Sequence, residues 1–262
     1  MARLVLASGD AIGVEEAGRG DALPIIFLHG VGSNKSVWAP QLEHFAATRR
    51  ALAFDYPGYG ESDPAEPGTS RDDYAAAILA AMDALKIERA HICGLSLGGV
   101  IAIAMHHAAP EQCASLILAD TFAVHPDGQA IHDRSVAASE QMSELAAART
   151  PVILAPGASE DLHQQVRETM ASIDAEAFRI GARAVWLADQ RERVAAIQVR
   201  TLVLVGDQDT VTPPELSEEL AAAIPGAELL VLAGAGHLSN IERPVDFNTA
   251  VQVFIERAEA GA

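Results

Sequence analysis

The chain has 262 residues, half of them hydrophobic, and a formal net charge of −18 from 36 acidic and 18 basic side chains. That length suits one domain, or one domain carrying a large insertion, with apolar residues enough for a sizeable core. A surface this negative repels phosphate backbones and anionic lipid, so no nucleic-acid and no membrane partner is expected.

In chain order, the N-terminal stretch MARLVLASGDAIGVEE has an apolar run too short for a signal peptide and soon turns acidic, so a cytoplasmic protein is expected. No later run reaches the roughly 18 apolar residues of a membrane span. PIIFLHG and RALAFD follow, then HICG, SLILAD and TLVLVGD. These short continuous apolar runs suit strands buried on both faces of a parallel sheet. Between the second and third, Tyr74, Ile78, Met82 and Leu85 recur at helical spacing. Late in the chain, PPELSEELAAAI and VDFNTAVQVFIERAEA read as helices on either side of a further strand, AELLVLA. Alternating strands and helices predict a mostly parallel central sheet flanked by helices.

One region breaks the alternation. Residues 122–196 hold no convincing strand and are helical and Ala-rich, with breaks at Pro126, Pro151, Pro156 and Gly157. They are expected to form a helical cap inserted between two strands of a core made of residues 1–121 and 197–262, lying over the ligand crevice of an open α/β sheet. A peripheral helical hairpin is the alternative.

Candidate chemistry begins at Gly94-Leu95-Ser96-Leu97-Gly98, a G-x-S-x-G with an apolar strand before it and a helix after it. In that context the turn is sharp and strained, and the glycines remove clashes that any Cβ would cause. The Ser96 hydroxyl is expected to be displayed in the crevice as a nucleophile. Serine needs a base, and the base a carboxylate to orient it. Of nine histidines, His237 stands apart. Its Gly-rich loop AGAGHLSNIERP follows a late strand, while the others fall in ordinary helix, loop or strand-edge positions. The acid should lie between serine and histidine in the chain. Asp209, just past TLVLVGD, is the choice, with Asp120 after SLILAD and neighbouring Asp207 as competitors. An oxyanion formed on the substrate would take the N–H groups of Leu97 and Val31, with His29 and Gly30 supporting the Val31 loop.

Other chemistry is poorly served. Lys35 stands where a third glycine would complete G-x-G-x-x-G from Gly30, and no Walker-type loop exists. Neither a cofactor nor a metal is expected: histidines and acids lack metal-ligand spacing, and Cys93 and Cys113 make neither a disulfide framework nor a four-ligand zinc site.

LHGVGSN, FDYPGYGES, GLSLGG, GDQDTVTPP and GAGHLSNIERP stand in this chain in an order and spacing that resemble the α/β-hydrolase superfamily. The longer blocks around them look most like 3-oxoadipate enol-lactonases and carboxylesterase-like relatives. The resemblance implies an α/β-hydrolase fold, a Ser96–Asp209–His237 triad and a small-molecule ester or lactone as substrate. Enol-lactonases carry Arg and His where this chain has Pro57 and Tyr59. Arg134, Arg179 and Arg183 in the expected cap could take over anion recognition, or simply face solvent. Trp38, Trp186, Phe122 and Met142 are candidates for pocket or core. A C–C bond hydrolase of a ring-fission diketone, using the same triad, and a non-catalytic ligand receptor on the same scaffold are the alternatives. Oligomeric state is not legible.

Overall fold

The computed structural model describes residues 2–260. Eight strands form one sheet in the order β1-β2-β4-β3-β5-β6-β7-β8. They are β1 (Ala2–Val5), β2 (Ala11–Ala17), β3 (Ile25–Leu28), β4 (Ala51–Phe54), β5 (Ala90–Leu95), β6 (Cys113–Ala119), β7 (Thr201–Gly206) and β8 (Glu228–Leu232). From β4 to β8 every pairing is parallel, whereas β2 pairs antiparallel with both β1 and β4. The sequence reading does not anticipate β1 and β2, because β2 carries Gly13, Glu15 and Glu16. Strands β3, β4, β5 and β7 are buried along their whole length, as continuous apolar runs require.

Helices α1 (Ala39–Phe45), α2 (Arg71–Ala84) and α3 (Leu97–Ala108) follow β3, β4 and β5. A capping box starts α2: Ser70 Oγ accepts from Asp73 N, and the Asp73 carboxylate accepts from Ser70 N. Tyr74, Ile78 and Met82 face the sheet from this helix and are buried. Between β6 and β7 come α4 (Gly128–Ala138), α5 (Met142–Ile153), α6 (Glu160–Ala171), α7 (Ala175–Trp186) and the short α8 (Arg191–Ala195). Helix α9 (Pro214–Ala223) precedes β8, and α10 (Ser239–Glu242) and α11 (Pro244–Ala260) follow it. Among the described residues no helix is long and apolar enough to cross a membrane.

Strand order reverses between β3 and β5: the chain leaves β3 toward β4 on one side and returns to β5 on the other. Ligand crevices of open α/β sheets lie at such a switch point, beyond the carboxyl ends of the strands. Ser96 sits there, directly after β5, with φ 55° and ψ −115°. Such a conformation costs a non-glycine residue on the order of 1–3 kcal/mol and persists only where its surroundings impose it. Here Ser96 N donates to Ala119 O at 2.9 Å, while its carbonyl accepts from Gly99 N and from Thr121 Oγ1, each at 2.9 Å. A Cβ at Gly94 would run into the Gly98 carbonyl oxygen, and one at Gly98 into the Leu28 carbonyl oxygen of β3. Glycine is therefore required at both positions by backbone approaching backbone.

Gly98→Ala is expected to cost about 2 kcal/mol or more of unfolding free energy, since neither opposing backbone can retreat without disturbing β3. Urea denaturation measures it, and a midpoint equal to that of the parent would show that the turn can relax.

Candidate active site

Five loops at the carboxyl ends of β3, β5, β6, β7 and β8 bring the sequence-selected residues together. Ser96 and His237 line one cavity, with Val31 in the same wall. The expectation of a displayed serine is corrected here: Ser96 is 1% exposed. Ile153 from α5 and Val166 and Met170 from α6 close the cavity above it. Ser96 Oγ is buried and has no hydrogen-bond partner among the described residues. An unsatisfied buried hydroxyl costs on the order of 1–3 kcal/mol.

His237 stands in the loop after β8. Its Nδ1 lies 2.8 Å from Asp209 Oδ2 and 3.2 Å from Thr212 Oγ1. The Asp209 carboxylate is saturated with donors. Oδ1 accepts from Val211 N at 2.8 Å and Thr212 N at 3.0 Å, and Oδ2 also accepts from Thr212 Oγ1 at 2.6 Å. The competing acids are engaged elsewhere. Asp207 is exposed and accepts from Gly234 N at 2.7 Å. Asp120, with φ 48°, accepts from Gly206 N and Ser239 Oγ.

Electrostatics separate these acids further. Burial is the largest influence on both Asp120 and Asp209 and acts to raise each carboxyl. At Asp120 it prevails, reinforced by the negative charge of Asp209, and holds the group well above the usual carboxylate range. At Asp209 the charge and hydrogen bond of His237 and the donors of Thr212 outweigh it, so the carboxyl lies below its ordinary value. Of two neighbouring acids, one is pushed up and the other held down by its surroundings.

The N–H groups of Val31 and Leu97 have no acceptor among the described residues. Leu97 opens α3, where the first amides of a helix lack internal partners. The Val31 loop is held from behind. His29 Nδ1 contacts Gly30 O at 2.8 Å, its ring packs 4.3 Å from Tyr56, and its carbonyl accepts from Tyr56 Oη at 2.9 Å. Burial pushes His29 down to about 4, so its ring is neutral. Lys35 also fastens this segment: its ammonium meets Asp55 at 2.6 Å and Glu61 at 2.9 Å, and its own N–H donates to Asp55 Oδ1.

Three features escape the sequence reading. Glu242 accepts from Gly236 N and Leu238 N, on either side of His237, and from Ala155 N beyond α5. His237 N itself donates to Ile153 O at 2.8 Å, so the His237 loop is fastened to the end of α5. Arg149 also lines the cavity. The arginines singled out earlier do not. Arg179 bonds Ser139 and Glu176, Arg183 bonds Thr69 O, and Arg134 lines a separate cleft. Nor do Trp38, Trp186, Phe122 and Met142 line the cavity. Trp38 stacks on Phe27 and Trp186 on Phe122, with ring centroids 4.9 and 5.8 Å apart. Cys93 and Cys113 are buried and free, and burial pushes both thiols up, Cys113 to about 12.

Residues 25–250 match the family model described as Alpha/beta hydrolase family. The chain is 29% identical over 250 residues to 3-oxoadipate enol-lactonase 1 of Acinetobacter baylyi, covering 94% of this chain and 92% of that one. It is 28% identical over 273 residues to 2-hydroxymuconate semialdehyde hydrolase of a Pseudomonas species, covering 99% and 95%. The crystal structure of the enol-lactonase from Burkholderia xenovorans superposes with a TM-score of 0.91 at 28% identity, covering 97% of this chain and all of the other.

The depressed Asp209 carboxyl links to stability with a definite sign. Its contribution is present above the unfolded-chain value of about 3.9 and is lost as pH falls through the lower folded value. Asp209→Asn should therefore flatten the loss of stability below about pH 4, read from urea midpoints across pH. A variant whose acid limb matches the parent's would show that this carboxyl is not held ionised by the fold.

Proposed function

The chain belongs to the alpha/beta hydrolase family, which supports hydrolysis of a small molecule, and from that premise we propose a serine hydrolase acting on a small carboxylic ester or lactone. One observation carries this reading: an unpartnered Ser96 hydroxyl on a strained turn shares a cavity with His237, whose far nitrogen is held by Asp209.

In the proposed mechanism Ser96 Oγ attacks the substrate carbonyl as His237 Nε2 takes its proton. Asp209 fixes the imidazole with Nε2 toward the cavity and stabilises the imidazolium that forms. The carbonyl oxygen becomes an oxyanion, met by the N–H groups of Val31 and Leu97. Collapse breaks the C–O bond, and His237 returns the proton to the leaving oxygen. Water then attacks the acyl-enzyme with His237 again as base, releasing the acid and restoring Ser96. Serine at the turn favours acyl transfer, since an alkyl-enzyme ester would need a carboxylate nucleophile there. Residues 122–196 serve as the cap in this reading, with α5 and α6 excluding bulk water. The likeness to a semialdehyde hydrolase supports a second reading, cleavage of a C–C bond in a ring-fission diketone by the same residues.

Incubation with a fluorophosphonate should add a single adduct, mapped to Ser96 by peptide mass spectrometry, and Ser96→Ala should abolish both labelling and ester turnover. Folded protein that takes no adduct would overturn the nucleophile and favour a non-catalytic receptor. Parallel assays of esters and ring-fission diketones separate the two hydrolytic readings.

Asp209→Asn should lower kcat/KM by about 10³-fold or more, because the amide offers the imidazole the wrong partner. Asp120→Asn should cost far less, since its carboxyl bonds Gly206 N and Ser239 Oγ rather than His237. The reverse ranking would move the orienting acid to Asp120.

A further inference from the structure

Strand β8 closes one side of the sheet, with β7 as its single neighbour. Leu232 O accepts from Asp207 N, just past β7, at 3.0 Å, and Leu232 is in register with Gly206. In a parallel pair, a residue that turns its carbonyl to the neighbouring strand turns its amide there too, and the residues on either side turn theirs away. The backbone of Glu228, Leu230 and Leu232 therefore faces β7, and that of Leu229 and Val231 faces the open edge. Their two N–H and two C=O groups are presented there in strand geometry.

No side chain guards this edge. Leu229, Leu230 and Val231 are between 37% and 45% exposed, and no proline or charged residue stands from Leu229 to Leu232. Exposed edges commonly carry a lysine, a proline or a bulge that keeps other strands away. Helix α11 extends the apolar surface. Val245, Thr249, Val253 and Arg257 recur at four-residue spacing and are all exposed. Arg257 Nη2 reaches Glu228 Oε2 at 2.7 Å, which sets this stripe beside β8. Five of the eight large hydrophobic side chains exposed among the described residues lie on β8 or on this stripe.

Charge selects the occupant. Arg200 and Arg257 share the single carboxylate of Glu228, so the start of β8 carries excess positive charge. The far end carries Asp207, which is exposed, accepts from Gly234 N and has no cationic partner among the described residues. A strand with a positive start, an apolar centre and a negative end is complementary to itself when reversed. In a chain of net charge −18, faces without this arrangement repel a second copy.

We propose that β8 pairs antiparallel with β8 of a second copy of this chain, about a twofold axis at Leu230, so that two eight-stranded sheets become one. Leu229 of each copy exchanges both backbone hydrogen bonds with Val231 of the other. The two Leu230 side chains meet across the axis on the α11 side, the side to which Glu228 points. Each arginine-bearing start lies toward the Asp207 end of the other copy. The contact is isologous and closes at a dimer. None of these residues lines the Ser96 cavity, so assembly is read independently of turnover.

Sedimentation velocity from about 1 to 100 μM should show a species of twice the 27.5 kDa chain mass. Val231→Pro removes an outward N–H while sparing the ladder to β7, and Leu230→Lys sets like charges opposite each other across the axis. Each should weaken dimerisation by about tenfold or more, with the far-UV circular dichroism spectrum unchanged. Val5→Lys, on the opposite edge strand β1, should leave the mass as it was. Oxidised Leu230→Cys should cross-link to its own copy, because Cα atoms of such a non-hydrogen-bonded pair lie about 4.5 Å apart, within a disulfide's reach. Cys93 and Cys113 are buried, so the native chain should not cross-link. A native chain that stays monomeric throughout this range overturns the proposal. So does a dimer that survives both Val231→Pro and Leu230→Lys, or one in which Leu230→Cys forms no cross-link. If Val231→Pro does not fold, Leu230→Lys and the cross-link carry the same comparison.

Discussion

The left-handed backbone at Ser96 governs the arrangement around it. A non-glycine residue at φ 55° is tolerated because three strands converge on it. Gly98 sits against the Leu28 carbonyl of β3, Gly94 against the turn itself, and the Ser96 amide is bonded to Ala119 of β6. The strain is compensated by packing that must be in place before the turn can form. Leu97 opens α3 with its first amide unpartnered, and the Val31 loop lies one strand over with another.

A second constraint comes from carboxyls that never face the cavity. Asp207 holds Gly234, Asp120 joins Gly206 to Ser239, and Glu242 clasps the amides on either side of His237. Each ties the loop of the proposed base to the strand of the proposed acid or to α5. Burial raises both Asp120 and Glu242, so the one carboxyl kept below its ordinary value in this cluster is Asp209, where His237 and Thr212 supply the compensation. Asp209 is thus selected less by its position in the chain than by the number of donors aimed at it.

This distinction explains what the sequence could reveal. Runs such as SLILAD and TLVLVGD declare buried parallel strands because burial on both faces leaves no alternation to disguise them. The glycine–serine turn is legible because backbone clash restricts residue type locally. By contrast β1 and β2 escape notice: a strand at the outer, antiparallel side of the sheet has no need of a long apolar run, and β2 carries two glutamates, Glu15 and Glu16. Glu242, Thr212 and Lys35 escape for another reason. Their partners lie 6, 25 and 20 positions away at sites fixed only by the fold. Arg149 looks like any exposed helical arginine in the Ala-rich run ELAAARTP. Its isolation from acids is a property of three-dimensional surroundings, as is the stacking that takes Trp38 and Trp186 away from the cavity.

Enclosure links these observations. With Ser96 1% exposed and His237 6% exposed, hydrogen bonds in the cavity act at low effective dielectric. Donors aimed at a developing charge count for more there than in water, and polar groups left unmatched are penalised for the same reason. That penalty sorts the side chains. Burial holds His29 neutral, the donors around Asp209 hold its carboxyl below its ordinary value, and Lys35 meets two acids. The Ser96 hydroxyl, by contrast, lines the cavity without a partner from the protein. In the proposed reaction that missing partner arrives with the substrate, as the carbonyl carbon that the hydroxyl attacks.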